Sequence, residues 1–144
     1  MIAGGSSDTE AFMDELKEMS TGDDRIIFTG FQQGRILEEL YSNAFIYCLP
    51  SDLEGMPLSL LEAMSYGNCC VVSDIAECAE VVEDKAVVFP KGNVEELKRT
   101  LQDLFSESAI TQKGDGTITL NGDYAGASFV IALYQSQAFY ILPS

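Results

Sequence analysis

The chain has 144 residues and a mass of 15.7 kDa, room for one hydrophobic core rather than two. Eight Lys and Arg against 23 Asp and Glu give a net charge of −15, and there is no histidine. That composition excludes Ser-His-Asp and Cys-His nucleophile pairs, imidazole zinc sites and an imidazole general base. It also argues against nucleic acid or an anionic membrane surface as a partner, since both need clustered cations. With 47% hydrophobic and 22% charged residues, the chain reads as a packed globule and not as an acidic disordered tail.

In chain order, Met1 to Ala3 reads as a strand entering the turn Gly4-Gly5, with no basic and apolar leader that would mark a secretory signal. Further short strands rich in Ile, Val, Phe and Cys are predicted at Arg25 to Thr29, Ala44 to Leu49, Cys69 to Ser73 and Ala86 to Phe89. Between them, helical periodicity covers Thr9 to Met19, Arg35 to Ser42, Pro57 to Tyr66, Ile75 to Val82 and Asn93 to Phe105. The last helix has Asn93 as its cap, Glu95 and Glu96 in its first turn, and Leu97, Leu101 and Leu104 on one face. Strict alternation of strand and helix predicts an α/β fold, a Rossmann-like parallel sheet with helices on both faces. In such a sheet, ligands bind beyond the carboxyl ends of the strands.

No CxxC motif occurs among Cys48, Cys69, Cys70 and Cys78. Cys69 and Cys70 should face opposite sides of a strand, and all four read as small buried apolar groups suited to a reducing, cytoplasmic setting.

From Ser106 the pattern changes, so that residues 106–144 form an atypical tail after a domain spanning 1–105. The tail has only Glu107, Lys113, Asp115 and Asp123 as charges. Thr117 to Leu120, then Asn121-Gly122 and a second apolar run, suggests a hairpin or else a poorly ordered segment. The stretch from Tyr124 to Ser144 carries no charge, but Gln135-Ser136-Gln137 interrupts it, leaving neither flank near the roughly 20 apolar residues of a membrane span. This end is expected to add to the sheet, to pair between chains or to be poorly ordered.

The segment richest in chemistry runs from Leu49-Pro50-Ser51 through Glu54-Gly55-Met56-Pro57-Leu58-Ser59 to Glu62 and Gly67. It leaves a predicted strand at its carboxyl end and enters a helix, with Pro57 suited to the first helical position. Free amides around Gly55, Met56, Leu58 and Ser59, with the helix dipole, would favour an anion such as a pyrophosphate by about 0.3 to 2 kcal/mol. Glu62 stands on an otherwise apolar helix, where burial is costly unless something hydrogen-bonds the carboxylate. Sugar hydroxyls would do so, at roughly 1.5 to 3 kcal/mol per bond. The alternative is that Glu62 faces solvent and Glu54 only caps the helix.

Glu54-x7-Glu62, preceded by Pro50-Ser51 and continued by Gly55-Met56-Pro57 and Glu62-Ala63-Met64-Ser65-Tyr66-Gly67, resembles the donor-site motif of family 4 retaining glycosyltransferases. Ile2-Ala3-Gly4-Gly5, Ile27-Phe28-Thr29-Gly30-Phe31, Leu40-Tyr41-Ser42-Asn43-Ala44, Val71-Val72-Ser73-Asp74 and Glu80-Val81-Val82 extend the likeness over residues 1–105. The resemblance implies the GT-B architecture, in which the C-terminal of two Rossmann-like domains binds a UDP-, GDP- or ADP-sugar. It assigns Glu54 to hydroxyls of the transferred sugar as the catalytic residue, and Gly55, Met56, Pro57 and Leu58 to the sugar and diphosphate. Glu62 falls to the ribose, and Gly30, Phe31 and Gln32 to the base. It also implies no metal and no cofactor.

The chain departs from the family pattern. Set against the family pattern, the 144 residues are expected to lack the acceptor-binding domain and the opening part that supplies an Arg and a Lys to the diphosphate; Lys17, Arg25 and Arg35 do not stand in their places. After Phe105 the family's amphipathic helix is replaced by text reading as strand and loop, as a truncated coding sequence with an altered or frame-shifted end would give. The expectation is therefore the donor-binding part of a glycosyltransferase, inactive alone, with an unknown acceptor. The alternatives are a non-catalytic nucleotide-sugar-binding module that needs a separate acceptor domain, and a structural remnant.

Overall fold

A computed structural model describes residues 1–4, 10–106, 111–113, 117–119 and 129–132. The expected alternation is present: β1 (Ile2–Ala3), α1 (Glu10–Met19), β2 (Phe28–Gly30), α2 (Arg35–Ser42), β3 (Ile46–Leu49), α3 (Leu58–Ser65), β4 (Cys69–Ser73), α4 (Ala76–Val82), β5 (Val87–Phe89) and α5 (Val94–Ser106). Asn93 does cap α5, its Oδ1 accepting the Glu96 N–H at 3.0 Å. Pro57 stands one residue before α3 rather than inside it. Gly5 and Thr9, placed by sequence in the first turn and helix, lie outside the described residues.

Period-2 alternation divides the core between the sheet's two faces. Tyr47, Leu49, Cys70 and Val72 pack with Leu40 and Tyr41 of α2, Leu60 and Ala63 of α3, and Cys78 and Val82 of α4. Ile46, Cys48, Val71 and Phe89 face the other way, onto Leu97 and Leu101 of α5. Cys69 and Cys70 fall on opposite faces, and all four cysteines are free thiols. Each large side chain so buried contributes about 1.5 to 3 kcal/mol. Beside that, an exposed ion pair such as Arg99 with Glu96 at 2.7 Å counts for little, at about 0 to 1 kcal/mol.

Three further strands follow α5: β6 (Thr111–Lys113), β7 (Thr117–Thr119) and β8 (Phe129–Ala132). β6 and β7 form a separate antiparallel pair, so β7 is paired with the segment before it; Leu120 and Asn121-Gly122, the turn expected from sequence, lie outside the described residues. β8 enters the main sheet, whose order is β2-β1-β8-β3-β4-β5 with every pair parallel. β1 and β3 each pair with β8. The last strand in sequence therefore occupies the centre of a doubly wound sheet, at the point where the winding reverses. Among the described residues no helix is long and apolar enough to cross a membrane.

Candidate functional site

At the carboxyl end of β3 the chain turns inward before α3 begins. Ser51 and Glu54 are both buried, at 3% and 5% exposure, while Leu53 between them is 68% exposed. The Ser51 hydroxyl donates to Glu54 Oε1 at 2.5 Å, and the Ser73 hydroxyl donates to the Ser51 carbonyl. Burial pushes the Glu54 carboxyl above its ordinary range; the Ser51 hydrogen bond opposes this, and the negative charge of Glu77 adds to the rise. Glu54 is not a helix cap, for α3 has no side-chain cap bond.

Glu62 has the opposite setting. It is exposed on α3, and its Oε2 accepts a 3.0 Å hydrogen bond from the hydroxyl of buried Tyr41. The Tyr41 ring is stacked on Tyr66, with centroids 5.4 Å apart. Burial first, and then the hydrogen bond to the Glu62 carboxylate, push the Tyr41 phenol well up. Tyr47 donates to Ser59 Oγ at 2.8 Å, tying the first turn of α3 to the sheet beneath it. Gly67, at φ 75°, turns the chain out of the helix, a conformation that suits glycine. The glutamate buried by the fold is thus Glu54, and the one on the apolar helix faces solvent.

The entry to α3 leaves fewer free donors than the sequence suggests. The Leu58 N–H is engaged by the Met56 carbonyl at 2.8 Å, and Pro57 has none to give. Among the described residues the N–H groups of Gly55, Met56 and Ser59 have no acceptor. Together with the helix dipole they form an anion-favouring edge between the two glutamates.

Gly30 ends β2 and Phe31 and Gln32 follow it, at the carboxyl edge of the same sheet but on its other wing, with β1 and β8 between them and β3. Gly30 has φ 64°, which swings the chain out of the strand. Phe31 is then 70% exposed. Gln32 folds back, donating from Nε2 to the Thr29 carbonyl at 2.5 Å. The fold thus joins Glu54, Gly55, Met56, Pro57, Leu58 and Glu62 in one loop-helix unit and keeps Gly30, Phe31 and Gln32 apart from it.

Two neighbours of the Glu54 loop were given no site role by the sequence reading. Lys91, after β5, donates from Nζ to the Asp52 carbonyl at 3.0 Å, and its backbone N–H donates to Asp74 Oδ1 at 2.6 Å. Asp74 directly follows β4 and Lys91 stands two residues after β5, so both lie at carboxyl strand ends, the signal by which they were findable. Among the described residues no cluster of three or more carboxylates or thiols is placed to hold a metal ion.

The arrangement is a parallel α/β sheet with a buried carboxyl and a tyrosine-held carboxylate around a helix start, at the carboxyl edge where such sheets bind ligands. The model of the group 1 glycosyl transferases matches residues 1–107, and the chain belongs to that family. It is 34% identical over 104 residues to the O-antigen chain mannosyltransferase B of Escherichia coli, covering 69% of this chain and 27% of that protein. It is 36% identical over 75 residues to the lipopolysaccharide 1,6-galactosyltransferase of Salmonella typhimurium, covering 51% and 21%. An uncharacterized glycosyltransferase of Methanocaldococcus jannaschii is 29% identical over 94 residues, covering 63% and 24%. The chain therefore matches about a quarter of the length of these relatives.

Proposed function

We propose that this chain is the nucleotide-sugar-binding part of a retaining glycosyltransferase of the GT-B type, and that it needs an acceptor-binding partner domain for transfer. The observation that carries the reading is the pair of glutamates in unlike settings around one helix start. Glu54, buried and oriented by Ser51, presents its Oε2 to hydroxyls of the transferred sugar. Glu62, with Oε2 taken by Tyr41, keeps Oε1 for the ribose hydroxyls. Between them the Gly55 and Met56 N–H groups meet the diphosphate, where they stabilise charge developing on the leaving group. The engaged Leu58 N–H takes no part in this. Phe31 offers an exposed ring for the base to stack on.

A second reading, binding without catalysis, is favoured by the scarcity of cations. Among the described residues only Arg35 and Lys91 follow a carboxyl strand end of the main sheet, and Arg35 leans toward Glu39 at 3.7 Å. A leaving diphosphate ordinarily draws on charged donors.

Thermal shift with UDP-glucose, GDP-mannose and ADP-glucose tests donor binding. One of the three should stabilise the chain, and Glu62→Ala should weaken that donor by about ten- to a hundred-fold, the loss of one charged hydrogen bond. Stabilisation by none of the three refutes the proposal. Release of free nucleotide when an acceptor fraction is added separates catalysis from binding alone.

A further inference from the structure

We propose that Lys91 is a positioning residue for Glu54, clamping the loop that carries it. The proposal rests on the donor-site reading of Glu54. Three successive strand-to-helix loops meet at the carboxyl edge of β3, β4 and β5, and hydrogen bonds join them in one chain. Asp74 follows β4; its N–H donates to the Phe89 carbonyl at 2.9 Å, and its Oδ1 accepts the Lys91 N–H at 2.6 Å. Lys91, so fixed at its backbone, reaches back with Nζ to the Asp52 carbonyl at 3.0 Å. The Ser73 hydroxyl holds the adjacent Ser51 carbonyl. Two consecutive carbonyls before Glu54 are thereby held from neighbouring loops, and Ser51 Oγ holds the carboxyl itself.

Packing does not replace these ties. Leu53, the one apolar side chain between Ser51 and Glu54, is 68% exposed, so the loop is held by polar bonds. Lys91 is exposed and among the described residues forms no ion pair; its ammonium donates to the Asp52 carbonyl, and its removal opens no core cavity. A charged donor to a carbonyl is stronger than a neutral one, and here it fixes the peptide plane two residues before the sugar-binding carboxyl. Misplacing a binding group by a fraction of an ångström weakens what depends on its geometry while leaving the fold intact.

The test uses the full chain as wild type, Lys91→Met, Lys91→Arg and Glu54→Ala, with hydrogen exchange over residues 51–57 and affinity for whichever of UDP-glucose, GDP-mannose and ADP-glucose binds. Lys91→Met should speed exchange in the loop, leave the melting temperature unchanged and weaken the nucleotide-sugar by about three- to ten-fold. It should leave the matching free nucleoside diphosphate unaffected, because the effect passes through the carboxyl that meets the sugar. Lys91→Arg should recover most of the loss, and in a Glu54→Ala background Lys91→Met should cost nothing more. Equal weakening of nucleotide-sugar and free diphosphate would mean that Lys91 touches the phosphates itself, and overturns the proposal. Unchanged exchange in Lys91→Met overturns the clamp whether or not any donor binds. Binding of no donor by the wild-type chain overturns the donor-site reading and the link to sugar with it.

Discussion

Removing one oxygen from Tyr41 tests whether the exposed glutamate is held by the protein or only lies near it. Tyr41→Phe keeps the ring, its stacking on Tyr66 and its place in the core, and deletes the hydroxyl that donates to Glu62 Oε2 at 3.0 Å and lies 3.3 Å from the Ser59 carbonyl. A hydrogen bond to a charged acceptor is worth roughly 1.5 to 3 kcal/mol when shielded from water. Glu62 is exposed, which screens the bond, so the expected loss is about 1 kcal/mol. For a chain of this size that lowers the melting temperature by about 4 °C. The chain has no tryptophan, so unfolding in urea is followed by circular dichroism. The Tyr41→Phe, Glu62→Ala and double variants complete a cycle whose coupling energy should be about 1 kcal/mol. In donor binding, Tyr41→Phe should cost about two- to five-fold, less than Glu62→Ala, since the carboxylate remains and only its orientation loosens. Additivity of the two substitutions within about 0.3 kcal/mol would refute the reasoning, because it would leave Tyr41 with no hold on Glu62.

Other outcomes follow from the same geometry. Burial raises the Glu54 carboxyl in the folded state, so the folded chain binds that proton more tightly than the unfolded one. The stability this lends is whole below the ordinary carboxylate range and is lost as pH rises through the raised value. The stability of wild type minus that of Glu54→Gln should therefore fall as pH rises upward from the ordinary carboxylate range, and a difference constant with pH contradicts it. Asn93→Ala removes the cap of α5 and should cost about 1 kcal/mol in urea unfolding; no loss would show the cap bond to be dispensable. Burial pushes the thiols of Cys48 and Cys70 up to about 12 and that of Cys78 to about 11, and raises Cys69 as well. Iodoacetamide at neutral pH should thus label the native chain slowly and all four cysteines only after denaturation; rapid native labelling of Cys48 would refute the burial.

The elements were legible because each strand and helix of residues 1–105 carries its own period. Alternation along Ile46 to Leu49 and Cys69 to Ser73 sends successive side chains to opposite faces, and the structure divides them in that way. Which of the two glutamates is buried was not legible, for a physical reason. α3 has leucine at positions 58, 60 and 61, so its pattern does not say which face is inward. The fold buries Leu60 and Ala63, leaves Leu58 61% exposed, and turns Glu62 out with it. Glu54 is drawn in by the Ser51 hydroxyl, a contact three residues away that no periodicity expresses. Nor could local pattern place β8. Phe129 to Ala132 is one stretch of a long uncharged run, and its neighbours β1 and β3 are chosen by pairing across most of the chain.

The position of β8 has a consequence for the size of ligand that the proposed site can take. Gly30 ends β2 and Glu54 follows β3, strands three pairings apart from β2 through β1 and β8 to β3. At about 4.8 Å per pairing, the two strand ends are separated by roughly 14 Å. A monosaccharide or a free phosphate bound by the Glu54 loop would leave Phe31 untouched. Only an extended ligand lying across the ends of β8 and β1 meets both wings, and a base linked through a diphosphate to a sugar has that form. β8 is the strand through which β1 and β3 are joined, so base and sugar recognition on this reading depend on its docking, although none of its residues is assigned a ligand contact.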